Sequence, residues 1–196
     1  VTAMTPPRTA HTQRGLYDWY RVLQHEYTHT VTLDQTDYRI PHWFTEGAAV
    51  AMEPGLRDYQ MSQLLADALH DEELFTLGNI TWGFVRPKKP TDRALAYAQA
   101  HWMIEYITHA YGHDAVLKML ALHRKGTPDV KTILEVTGQS EENFMSGFKA
   151  WANKQVEQWG LIRRTDDQEI AQKLQEAAQS KRVNAKFAAE LMKEHP

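Results

Sequence analysis

"LQHEYTHTVTL", residues Leu23–Leu33, holds His25, Glu26 and His29 in a single short stretch, and its reading decides the rest of the chain. Leu16, Trp19, Tyr20, Leu23, Tyr27 and Val31 recur at helical spacing, which predicts a helix from about Gln13 to Val31. On a helix, positions i and i+4 differ by about 40° in direction and about 6 Å in rise, so His25 and His29 can chelate one ion from one face. Glu26 lies roughly 100° round from His25 and roughly 60° from His29. Its carboxylate therefore stands beside such an ion, within reach of a water on it, and suits a general base better than a ligand. The pentapeptide alone also fits a solvated helix face of ordinary ion pairs, so a third ligand has to decide between the two.

"PHWFTEGAAVAME", Pro41–Glu53, supplies that ligand. Polar "LDQTDYRIP" breaks the first helical pattern, and a second, alanine-rich helix is expected from about His42 to Glu53, stopped by Pro54 and Gly55. Catalytic zinc takes three protein ligands and keeps the fourth position for water, and two histidines with a glutamate form an established set. Glu46 completes it, and the small residues Gly47, Ala48, Ala49 and Ala51 let this helix approach the first closely. His42, four residues before Glu46, could replace one of these ligands. A fourth protein ligand would close the site, however, which favours His25, His29 and Glu46.

The 196-residue chain is 42% hydrophobic, enough for one globular domain with a short extension. A net charge of −3 offers no basic stripe for phosphates, which sets nucleic acid aside. There is no cysteine, so any metal is held by nitrogen and oxygen, and a thiol nucleophile is excluded. No apolar run approaches the roughly 20 residues of a membrane span. The start at Val1, without methionine or a signal-like segment, suggests a processed or excised piece of a longer protein. "VTAMTPP" reads as the end of a strand, as if most of an upstream sheet were missing.

Past the second helix, Met61, Leu64, Leu65, Ala68 and Leu69 mark a third, and "FTLGNITWGFVRPKKP" reads as an irregular connection bordering a cleft. Further helices are expected at about Thr91–Tyr111, Asp114–Arg124, Pro128–Thr137 and Glu141–Trp159, punctuated by Gly112, Gly126 and Gly138. Beyond Gly160 the composition shifts to Gln, Lys, Ala and Glu. The expectation there, over residues 161–196, is an appended helical tail, the start of a helical repeat region or a site for a protein partner.

"HEYTH" followed by "PHWFTEGAAVAME" resembles the gluzincin metallopeptidases, specifically their peptidase MA-like domains. "AYAQAHWMIEYITHAYGHDAVLKMLALHRKG" and "ILEVTGQSEENFMSGFKAWANKQ" look like the later helices of that family, so the resemblance covers about Leu16 to Trp159. It implies a mainly α, helical zincin-type domain over residues 1–160, with Zn2+ held by His25, His29 and Glu46 and its water activated by Glu26. A tyrosine or histidine on a later helix supplies a second donor to the developing oxyanion in related gluzincins. Tyr97 is the candidate here and His101, one turn on, the alternative.

The chain departs from the better-known pattern in two ways. The spacing from His29 to Glu46 is shorter, and Val50 stands where some members carry an aspartate that orients a ligand histidine. Glu53, on the face of Glu46 but about 10 Å further along the axis, could orient a histidine without binding the ion. Asp34 is the other candidate for that role. The expected activity is hydrolysis of peptides or proteins. The alternative is an inactive or regulated metalloprotease-like interaction module, against which the presence of Glu26 weighs. The start and the lack of cysteine suit an exported, periplasmic or secreted domain, although a trimmed cytosolic protein would look the same.

Overall fold

The computed structural model describes residues 18–161, together with Gln172 and Gln175. The strand expected at "VTAMTPP" lies outside the described residues, as does the tail but for those two glutamines. Among the described residues the chain is all helical, as the sequence predicts. The order is α1 (Trp19–Gln35), α2 (His42–Ala51), α3 (Tyr59–His70), α4 (Ile80–Val85), α5 (Asp92–Tyr111), α6 (His113–Arg124), α7 (Asp129–Thr137) and α8 (Glu141–Gln158). No described helix is long and apolar enough to cross a membrane.

Helix α5 is the centre of the packing, lying against α2, α3, α4, α6 and α8. Its sequence explains this position. Leu95, Ala96, Ala98, Ala100, Trp102, Met103, Ile104 and Ile107 are all buried, so the helix is apolar on several faces and needs neighbours on each. Helix α2 is nearly as enclosed, with every residue from Trp43 to Ala49 buried. The Trp43 indole donates to Asp129 Oδ2 at 2.5 Å, tying the start of α2 to the start of α7.

Gly47 is where α2 meets α5 most closely. A Cβ there would stand 2.5 Å from the carbonyl oxygen of Ala100 and 2.7 Å from its carbon, so only glycine permits this approach. At Gly47 the smallness read from the sequence thus serves α2 against α5, while α2 also packs against α1. Helix α1 itself rests on α2 and α6.

Three expectations about elements need correction. Helix α1 runs to Gln35, a turn past Val31, and takes in the first three residues of the polar stretch "LDQTDYRIP", which reads as a break in the sequence; two threonines at this end bond back to their own helix. Thr32 Oγ1 donates to the Thr28 carbonyl at 2.9 Å and Thr36 Oγ1 to that of Thr32 at 2.7 Å. Helix α2 stops at Ala51, short of Glu53, since the residue before Pro54 is held away from helical geometry. The connection "FTLGNITWGFVRPKKP" contains α4, whose Ile80, Gly83 and Phe84 are buried. At six residues it is too short to declare itself by periodicity.

Candidate metal centre

His25 and His29 project from the face of α1 that turns toward α2, and Glu46 projects back from α2. Their ligand atoms converge: His25 Nε2 lies 3.1 Å from His29 Nε2, and Glu46 Oε2 lies 3.5 Å from the first and 3.4 Å from the second. Ligands about 2.0–2.1 Å from a tetrahedral ion stand about 3.3 Å from one another, so the triangle has the size that zinc requires. These residues form the one group of three or more candidate metal ligands among the described residues. Glu46 Oε2 is buried and has no hydrogen-bond partner, an expensive state for a carboxylate oxygen unless a cation satisfies it.

The outer nitrogen of each imidazole is fixed by a different device. His25 Nδ1 donates to Glu53 Oε1 at 2.7 Å, and the other oxygen of Glu53 is held by Arg21 Nε. His29 Nδ1 contacts Thr45 Oγ1 at 2.9 Å, which contacts Thr32 Oγ1 at 2.9 Å, which donates to the Thr28 carbonyl. A hydroxyl carries one proton, so the direction of this chain is determined. Thr32 spends its proton on the carbonyl, Thr45 donates to Thr32, and Thr45 therefore accepts from His29 Nδ1–H. With Nδ1–H so engaged, each histidine turns Nε2 toward Glu46, and loss of the proton at that atom would offer the lone pair that a metal needs.

The two carboxylates favour positive charge at this centre, whether a proton on His25 or a cation. Burial drives the Glu46 carboxyl upward, but the neighbouring imidazoles of His25, His29 and His42 override it and hold the group below the usual carboxylate range. For His25, burial works against the charge, while Glu46 and Glu53 outweigh it and raise the imidazole to about 9. Among the candidate orienting groups, Glu53 reaches His25 because the chain leaves the helix at Met52 and turns back toward α1. Asp34 contacts neither histidine. Instead it lines a cleft of about 590 Å³ with Glu26, His29, His42 and Glu46. If the group holds a metal, Glu53→Ala is expected to weaken its binding about tenfold or more, read by competition with a chelator, since such partners typically carry 10–100-fold.

Glu26 is half-buried on the same cleft, and among the described residues no hydrogen bond or ion pair engages its carboxylate. Tyr97 comes close enough to Glu46 for that carboxylate to act on its phenol. Burial first, then the charge of Glu46, push the phenol up to about 12, so it remains a proton donor. His101 faces elsewhere: its Nε2 lies 3.6 Å from Glu105 Oε1, beside Arg57, and burial lowers its affinity for a proton. Of the two, Tyr97 is the one beside the ligand set.

Sequence reasoning missed Thr45 and Thr32. The available signal was weak: Thr32 lies one turn after His29, and Thr45 immediately precedes Glu46. A threonine is ordinary in either place.

A family profile described as the Peptidase MA superfamily matches residues 12–154. No curated protein and no solved structure matches the chain. The profile spans α1 through most of α8, the two ligand-bearing helices included, and so the chain belongs to the peptidase MA superfamily.

Proposed function

We propose that the chain is a zinc-dependent peptidase in which His25, His29 and Glu46 hold the metal and Glu26 is the general base. The observation that carries this reading is the triangle of His25 Nε2, His29 Nε2 and buried, unpartnered Glu46 Oε2, with an unengaged carboxylate at Glu26 on the same cleft. A zinc ion in that set polarises a carbonyl as a Lewis acid and lowers the pKa of a water toward neutrality.

The side chains account for the proton traffic. Glu26 takes a proton from the attacking water as its oxygen bonds to the peptide carbonyl carbon. It then delivers the proton to the amide nitrogen as the C–N bond breaks, and the second proton of the former water passes from the new carboxyl group to the amine, leaving a carboxylate and an ammonium. Tyr97 donates a hydrogen bond where charge develops on the former carbonyl oxygen, and its raised pKa keeps the donor protonated throughout. Glu53 and Thr45 hold the two imidazoles so that neither has to reorganise during turnover. A metal-holding module without catalysis has no use for an unengaged carboxylate at Glu26.

The test is metal content with hydrolysis. Purified protein should carry close to one zinc per chain, cut a denatured-protein or mixed peptide substrate, lose that activity on chelation and regain it with zinc. Protein that binds no zinc after reconstitution would remove the ligand assignment, and zinc-loaded protein that cuts nothing would remove the peptidase reading.

A further inference from the structure

We infer that His42 is a positioning residue for Glu46: its Nε2–H holds the carboxylate oxygen Oε1, so that only Oε2 faces the metal. The inference rests on the metal centre proposed above and assigns a residue outside the ligand triangle. His42 Nε2 lies 3.2 Å from Glu46 Oε1, whereas His25 and His29 approach Oε2. The two oxygens of one carboxylate are thus divided between two tasks.

The tautomer follows from burial. His42 Nδ1 is buried and has no hydrogen-bond partner. A neutral imidazole carries one N–H, and an unpaired buried donor costs more than an under-used acceptor. The proton therefore belongs on Nε2, pointed at Glu46. The ring is held on one side by an aromatic neighbour. His42 opens α2 directly after Pro41, and its ring packs edge-on against Phe84 at 4.8 Å, which packs edge-on against Tyr97 at 4.9 Å. The short helix α4, which contributes Phe84, thereby acquires a role at the site: it backs the histidine that aims Glu46.

The chemical consequence concerns coordination number. A glutamate with both oxygens free can bind a zinc ion through one or both, and binding through both uses the position that a catalytic site keeps for water. Engaging Oε1 restricts Glu46 to one bond.

Two variants separate the hydrogen bond from packing. His42→Phe keeps a ring against Phe84 without the donor, and His42→Gln restores a donor near the Nε2 position. Zinc affinity is measured by competition with a chelator, and the Co2+-loaded proteins are compared by visible absorption, which is stronger for four-coordinate than for five-coordinate cobalt. Thermal melting of each variant verifies that it folds. His42→Phe is expected to bind zinc about tenfold more weakly and to give a weaker cobalt spectrum, with His42→Gln returning both toward the parent. Parent-like affinity and spectrum in His42→Phe would overturn the inference, as would equal impairment in the two variants. If the parent binds neither ion, it is the metal centre itself that fails, a result distinct from a parent that binds and a His42→Phe that binds equally well.

Discussion

Glu26→Gln should lower kcat for peptide hydrolysis by about a hundred- to ten-thousand-fold, the range that a positioned general base contributes, while zinc content stays at the parental level. The substitution is nearly isosteric, and the amide cannot take a proton from water. Glu26 lies outside the ligand triangle and, among the described residues, holds no other side chain, so neither the metal nor the fold depends on its charge. Zinc content and kcat are measured on the same preparation. A zinc-replete variant with kcat within tenfold of the parent would transfer the role of base to another group, and the cleft offers only Asp34 as a further carboxylate.

Gly47→Ala should destabilise the fold through a single added methyl. The added carbon would meet the backbone carbonyl of Ala100, which belongs to the central helix and cannot rotate aside. Helix α2 would have to move off α5, carrying the neighbouring Glu46 with it. Overpacking of this kind costs about 1–3 kcal/mol, and in a chain of this size each kcal/mol lowers Tm by about 2–4 °C. Zinc affinity should fall as well, because the displaced carboxylate no longer completes the triangle set by α1. A variant that melts with the parent and binds zinc equally would show that α2 and α5 have slack that the 2.5 Å approach denies.

The two consequences draw on different parts of the sequence. The triangle was legible because a helix imposes fixed angles: once Leu23 and Tyr27 announce a helix, His25 and His29 must share a face, and Glu46 is the acidic residue of the next apolar segment. Helix order was legible for a similar reason, since Gly112, Gly138, Pro54 and Pro128 punctuate long periodic runs. What escaped reading depends on contacts between segments. Nothing local to Thr45 says that it will accept a proton from His29, or that Thr32 will fix the direction of that bond. Glu53 was legible as an orienting residue, but its route was not: it reaches His25 from a turn after α2 has ended. Helix α4 escaped because a six-residue helix has no period to detect, and its Phe84 matters through the rings it touches.

Helix α1 brings two of the three candidate ligands and rests mainly on α2 and α6, with Trp19, Tyr20, Leu23 and Tyr27 exposed along it. Helix α2, by contrast, is sunk against α5. An ion held between them would cross-link α1 to α2. Its binding free energy would add to what holds α1 on α2, and a ligand at a hundred times its Kd would supply about 2.7 kcal/mol. In such an arrangement the cofactor and the helix are one cooperative unit, and scarcity of metal would be felt first as local opening at α1 and only then as loss of chemistry.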